Sequence, residues 1–289
     1  MNLLEIIKKA ESEEKAIGHF NIANLEMLKA ISHVAADLNL PVIIGTSEGE
    51  ADYVGIHHAV DLINSYNKEH GKENGYHLFL NSDHTRSLDN LKKAVEVGYD
   101  MVIFDGADKS FEENIKFTKE AVEEAKKINP NVLVEGELGY IGKSSKFLDE
   151  VPKGAKINPE DLPTPEEAKE FVERTGVDLL APAVGNIHGM MRGAKNPDLN
   201  INRIKEIKEA TGVPLVLHGG SGVSDEDFKE AIKAGISMIH ISTEMRVAWR
   251  SSLEKSLKEN PDQLAPYKII PPVVESIERV VKNRIKLFN

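Results

Sequence analysis

The chain has 289 residues, 40% of them hydrophobic and 29% charged, which suits a soluble globular protein with a sizeable core; a repetitive α/β barrel fills about 250 residues as one domain. Lys and Arg number 36 against 47 Asp and Glu, so the net charge of −11 argues against broad binding to nucleic acid or an anionic membrane, though not against a small phosphorylated molecule. The absence of cysteine excludes disulfides, thiolate metal sites, iron–sulfur clusters and thiol nucleophiles. No apolar run, Val177 to Gly185 included, approaches the roughly 20 residues of a membrane helix. The opening MNLLEIIKKAESEEK is too charged for a signal peptide, and a cytoplasmic location is expected.

Along the chain, short apolar runs alternate with longer amphipathic segments. Strands are expected at 16–21, 41–47, 77–82, 100–106, 131–139, 177–185, 213–219 and 236–242. Helical periodicity covers 24–38, 50–70, 87–97, 111–128, 165–175, 200–211, 224–234 and 243–259. Ser87 and Ser224 stand where N-caps are wanted, and each of those two helices closes on glycine. Eight strand–helix units predict a parallel (β/α)8 barrel spanning residues 1–289 as a single domain, and PPVVESIERVVKNRIKLF adds a C-terminal helical extension. An open doubly wound sheet is the alternative, but GxGxxG is missing after the first strand.

In a closed barrel, chemistry gathers where strands end and βα loops begin. Those positions hold Asn21, Ser47, Asp83, His84, Asp105, Glu137, Gly185, His188, His218, Gly219, Ser221, His240 and Ser242. Histidines from the third, sixth and seventh units can therefore meet on one face, and three imidazoles with an open fourth position suit a catalytic metal. Each is also compatible with a hydrogen-bonded packing role. His57 and His58 are neighbours on a helical pattern and are expected on the surface. LHGGSGVSDEDF joins a strand end, a glycine turn and a capped helix, which collects backbone N–H groups for a phosphate or forms only a tight βα turn. VGNIHGMMRG repeats the theme, with Gly189 after His188 and Arg192 as a candidate phosphate cation; Ser242 and Thr243 open another helix.

These blocks resemble the class II, metal-dependent ketose-bisphosphate aldolases over essentially the whole chain. The likeness runs through FNIANLEMLKAI, PVIIGTSEG, NSDHTRSLDNLKKAVEVGYDMVIFDGADKSFEENI, VEGELGYIG, VGNIHG, LHGGSGV and ISTEMR to the final helix. The resemblance implies zinc or another divalent metal on His84, His188 and His218, with Glu137 and Asp105 as carboxylates near it, and a monovalent cation as a further cofactor. It implies Asp83 as the acid/base residue and Gly189, Gly219, Ser221 and Thr243 at the phosphate of dihydroxyacetone phosphate. Asn21 and Ser47 match pocket positions, and Arg246 matches an arginine that contacts a second phosphate. The implied reaction is reversible cleavage of a ketose 1,6-bisphosphate, fructose 1,6-bisphosphate first and its tagatose epimer next, by a homodimer or homotetramer.

Several residues depart from the family pattern. His240 stands where asparagine is usual, and Ser242 is neither the aspartate of fructose-type members nor the alanine of tagatose-type members. Arg192 replaces a lysine, and the loop YIGKSSKFLDEVPKG leaves Asp149 or Glu150 for proton exchange on the bound triose. Among other readings, a zinc hydrolase on this fold lacks HxH after the first strand, and a Schiff-base aldolase lacks a lysine within any expected strand. A non-catalytic sugar-phosphate-binding protein would keep the glycine turns but would not need Asp83 together with three histidines.

Overall fold

The computed structural model describes residues 2–71, 77–143 and 145–289. Runs rich in Val, Ile and Leu become strands buried on both faces, as a parallel sheet covered by helices requires. The strands are β1 Ile17–Asn21, β2 Val42–Ser47, β3 Leu78–Thr85, β4 Met101–Phe104, β5 Leu133–Leu138, β6 Phe147–Leu148, β7 Leu179–Pro182, β8 Met190–Met191, β9 Leu215–Leu217 and β10 Ile236–Ile241. Eight of them close a barrel in the order β1-β10-β9-β7-β5-β4-β3-β2, all pairs parallel. This is the TIM barrel that the alternation of elements predicts.

The helices are α1 Leu3–Ser12, α2 Leu25–Leu38, α3 Glu48–Val54, α4 Ile56–Tyr66, α5 Leu88–Val97, α6 Phe111–Ile128, α7 Pro165–Thr175, α8 Ile201–Thr211, α9 Asp225–Lys233, α10 Thr243–Glu259, α11 Pro266–Ile269 and α12 Pro271–Phe288. Ser87 and Ser224 cap α5 and α9 as expected. The expected helix 50–70 is broken at Gly55, whose φ of +89° favours glycine and separates α3 from α4; a wider π turn over Asn67–Gly71 ends the segment. None of the described helices is long and apolar enough to cross a membrane.

Two apolar clusters share the work. One lies between barrel and outer helices; the other fills the barrel with Ile17, Ile43, Phe79, Met101, Ile103, Leu133, Leu179, Val216 and Met238. Helix α1, which the strand–helix count did not anticipate, joins the inner cluster through Leu3, Ile7 and Ala10. Its start is held by a capping box between Asn2 and Glu5. At the other end of the chain, α12 buries Val273, Ile277, Val281, Ile285 and Phe288 against α2 and α10, and Phe288 O accepts from Ala16 N at 3.0 Å. The small β6–β8 ladder pairs Phe147 with Met190 and Leu148 with Met191, tying the loop after β5 to the loop after β7.

Candidate active site

The site begins with a distortion of β3. Ser82 pairs with Val102 but Thr85 pairs with Phe104, so β3 carries one extra residue, and His84 adopts φ +53°. A bulge re-aims side chains at the rim of a barrel, and a left-handed conformation at a residue other than glycine is strained. Asp83 and His84 both reach the cavity at the barrel mouth.

His188 arrives on the loop after β7 and His218 follows β9. The ring centres of His84 lie 4.7 Å from His188 and 4.9 Å from His218, and those of His188 and His218 are 5.9 Å apart. One ring nitrogen of each falls within 4.8 Å of the others. His188 Nδ1 donates to Gly142 O at 2.8 Å, which leaves its Nε2 lone pair free. His218 Nε2 donates to Glu135 Oε1 at 2.7 Å, which turns its Nδ1 toward Glu137 and the other two rings. Glu137 Oε1 lies 2.8 Å from His84 Nδ1 and 3.0 Å from His218 Nδ1, yet among the described residues all three buried atoms lack an aligned hydrogen bond. Lone pairs brought together in this way fit a cation, and imidazole with carboxylate suits zinc or a similar divalent ion.

The charges agree with that fit. Burial disfavours the imidazolium of His84, but Asp83 and Glu137 outweigh it and hold its pKa well above the usual histidine range. Burial likewise opposes the His218 imidazolium, while Glu137 and Glu135 push its pKa up to about 10. His188 is driven the other way, down to about 4, by burial and by the charges of His84 and His218. His84 and His218 thus hold protons against the buried carboxylates, and a divalent cation would displace those protons and take up the lone pairs so released.

Asp83 is buried at 3% exposure, and its Oδ2 accepts from Asn21 Nδ2 at 2.8 Å. Among the described residues its Oδ1 has no hydrogen-bond partner, lying 3.7 Å from His84 Nε2 and 3.5 Å from His240 Nδ1. Burial would raise its pKa, but His84, His240 and His19 hold it well below the usual carboxylate value. Asp83 is therefore an ionised carboxylate with one oxygen free. His240 stacks between two other imidazoles, 3.5 Å from His19 and 4.0 Å from His218 between ring centres.

Around the other side of the cavity stand glycine turns. Gly189 and Gly219 have φ of +98° and +62°, and a Cβ on Gly219 would lie 2.2 Å from Ile187 O. Ser221 Oγ accepts from Ser242 N and Glu244 N at the start of α10, where Thr243 is the first residue. Backbone N–H groups at a helix start and in glycine turns make a cradle suited to a phosphate. Asn196 ties the two turns together, donating to Gly189 O and Ser221 O.

Asn21, Ser47, Asp83, His84, His188, Gly189, Gly219, Ser221, His240, Ser242, Thr243 and Arg246 all line one cavity of about 320 Å³. His218 and Glu137 lie in contact with its histidines, and Asp105 Oδ2 is 3.4 Å from His84 Nδ1 while held by Arg86 at 2.6 Å. Arg192 is not brought to the cavity. The β6–β8 ladder sets it beside the loop after β5, where it pairs with Asp149 at 2.9 Å, lies over Phe147 and stays 63% exposed. Asp149 and Glu150 are likewise exposed and lie outside the cavity lining, and Lys143 supplies the lining cation of that loop instead. His57 and His58 are exposed, as expected.

Sequence reading missed Glu135, Glu50, Asn196 and Lys143. Glu135 was detectable from its place two residues before Glu137, on the same face of β5. Glu50 had a signal too, since it stands three residues after Ser47 in capping-box spacing. The contacts of Asn196 depend on a tertiary meeting of loops with no local pattern.

Imidazoles, carboxylates and phosphate-type turns gathered at the mouth of a parallel eight-stranded barrel define a TIM-barrel enzyme site, built on the loops that follow the strands. The family model described as class-II fructose-bisphosphate aldolase matches residues 1–289, and the chain belongs to that family. It is a class II aldolase, a carbon–carbon lyase. A fructose-bisphosphate aldolase of Staphylococcus aureus is 35% identical over the whole chain and 96% of the relative. Among solved structures, the YdjI aldolase of Escherichia coli K12 is similar at 31% identity and a TM-score of 0.79, with 100% of this chain and 97% of that one covered. A putative fructose-1,6-bisphosphate aldolase of Coccidioides immitis gives 26% identity and a TM-score of 0.80, covering 99% and 96%.

Proposed function

We propose that this chain is a divalent-metal-dependent aldolase that reversibly cleaves a phosphorylated ketose to dihydroxyacetone phosphate and an aldehyde. The observation that carries the reading is the meeting of one ring nitrogen each from His84, His188 and His218, all within 4.8 Å of one another, beside the ionised Asp83. His84, His188 and His218 would hold the ion, with Glu137 and Asp105 next to it and Glu135 orienting His218. When bound, the ion supplies positive charge that stabilises the electron pair left on the ketose half when the carbon–carbon bond breaks.

Asp83 takes the proton of the C4 hydroxyl during cleavage and returns it in condensation, and Asn21 fixes one carboxylate oxygen so that the other faces the substrate. The turns at Gly189 and Gly219, with Ser221 and Thr243, hold the phosphate of the dihydroxyacetone half. Fructose 1,6-bisphosphate is the first substrate to test, because the Staphylococcus aureus relative is named for it, and tagatose 1,6-bisphosphate is the second. The same reading takes residues 1–289 as one domain, located in the cytoplasm and assembled as a homodimer or homotetramer.

Chelation should abolish cleavage of both epimeric bisphosphates and of their monophosphates, and zinc or cobalt should restore whatever activity the untreated protein has. Borohydride with substrate should trap no covalent adduct. Full activity in metal-free protein would reject the reading.

A further inference from the structure

The cavity is poor in cations that are free to meet a second anion. Among the described residues its lining holds three cationic side chains, Arg86, Lys143 and Arg246, and each already faces a carboxylate at 2.6 Å: Asp105, Asp108 and Glu50 respectively. The Lys143–Asp108 pair is the most open, with side chains 43% and 37% exposed. Lys143 follows Gly142, whose carbonyl accepts from His188, so it stands beside the Gly189 turn and can turn toward a phosphate held there.

Arg246 is differently placed. Its partner Glu50 is buried at 7% exposure and bound from several sides. Glu50 Oε1 takes Arg246, while Oε2 accepts from Ser47 N at 2.9 Å, Ser47 Oγ at 2.8 Å and Asn21 Nδ2 at 3.1 Å. Glu50 is also the reciprocal member of the capping box that starts α3, so swinging it away would strip the helix start as well as strand a carboxylate. Next to it, Glu48 lines the cavity, and among the described residues its Oε1 accepts from two neutral donors, Arg86 N and Asn90 Nδ2. This end of the cavity therefore offers one carboxylate acceptor, Glu48, and an arginine whose charge Glu50 balances from behind the lining. Hydroxyl groups can donate to Glu48, whereas a phosphate carrying about −1.5 to −2 charge would meet Glu48 as a like charge and Arg246 already balanced by Glu50.

We propose that Glu50, from behind the lining, stands in for a second anion on Arg246, so that the substrate is a ketose monophosphate whose far end carries hydroxyls and no charge. The inference rests on the aldolase reading above and narrows its substrate class. The reaction balances without a further reactant: Asp83 takes the proton from the C4 hydroxyl as C4 becomes an aldehyde, the C3–C4 bond breaks, and its electron pair stays with the dihydroxyacetone phosphate half. A proton from solvent then completes C3.

The test separates the two readings. Solvent exchange of the dihydroxyacetone phosphate C3 proton examines the aldolase reading, since it needs no aldehyde; its absence in metal-loaded protein would overturn that reading and this inference together. Binding of a hexitol 1-phosphate and the matching 1,6-bisphosphate, followed by calorimetry, examines the inference alone. The wild-type protein should bind the monophosphate at least as tightly as the bisphosphate. Glu50→Gln, which keeps capping-box chemistry and removes the charge, should tighten the bisphosphate by about tenfold or more relative to the monophosphate. Condensation of dihydroxyacetone phosphate with glyceraldehyde and with glyceraldehyde 3-phosphate should show the same shift in relative kcat/KM. A wild-type preference for the bisphosphate, or a ratio unmoved by Glu50→Gln, would overturn the proposal.

Discussion

Asp83 owes its expected role to three surroundings: burial, a hydrogen bond from Asn21 and the positive charge of His84. Asp83→Ala should keep metal and the dihydroxyacetone phosphate half while losing about 10²–10⁴-fold in kcat for cleavage. Exchange of the triose C3 proton should suffer less, and an unchanged kcat would reduce Asp83 to a residue that positions its neighbours. His19 shows the same environment acting on stability. Burial, aided by the charges of His218 and His84, lowers its pKa to about 4 against Asp83. An unfolded chain takes up that proton below about 6.5, whereas the folded state refuses it until about pH 4. The contribution of His19 to stability is therefore complete above pH 6.5 and is lost as the pH falls from 6.5 toward 4. The unfolding free energy of His19→Gln should fall less steeply across that window, by up to about 1.4 kcal/mol per pH unit, and identical slopes would refute this account. Gly45 is bound to the same feature, because a Cβ there would lie 2.2 Å from the His19 ring.

At the scale of elements, the turns and irregularities do the positioning. The bulge in β3 is what lets two successive residues, Asp83 and His84, both reach the mouth, since in a regular strand neighbours leave opposite faces. The turn after β9 is equally demanding. Gly219→Ala adds a Cβ against the Ile187 carbonyl at a φ of +62°, so the turn and the adjoining His218 must shift. Affinity for dihydroxyacetone phosphate should drop by about tenfold or more, with a smaller loss of thermal stability; calorimetric titration of metal-loaded protein reads the first and a melting curve the second. Unaltered affinity would mean that the Gly219 turn does not hold the phosphate. The strands and outer helices were legible from periodicity because burial on both faces leaves continuous apolar runs. The two-residue β6–β8 ladder was not, being too short to carry any pattern, and it is this ladder that draws Arg192 to Asp149 and away from the cavity.

For the whole molecule, both ends of the chain complete the barrel. Helix α1 puts Leu3, Ile7 and Ala10 on the cluster that fills the barrel, and α12 covers β1, α2 and α10. Ile7 is fully buried, so Ile7→Ala should cost about 2–5 kcal/mol in chemical denaturation while leaving the metal affinity of the folded protein intact. A cost near zero would show that α1 does not seal the core.

Fold class, the number of strand–helix units, the final helix and most strand-end residues followed from sequence alone, because hydrophobic period and glycine or serine punctuation are local properties of the chain. The same strand-end logic places His84, His188 and His218 on one face of the barrel. Which ring nitrogen His188 and His218 turn toward the cluster was a tertiary decision, made by Gly142 O and Glu135 from other elements. So was the pairing of Arg246 with Glu50, which joins residues nearly 200 positions apart. Those contacts set charge and hydrogen-bond direction inside a low-dielectric site, where a displacement of one ångström changes the chemistry and no local sequence pattern records it.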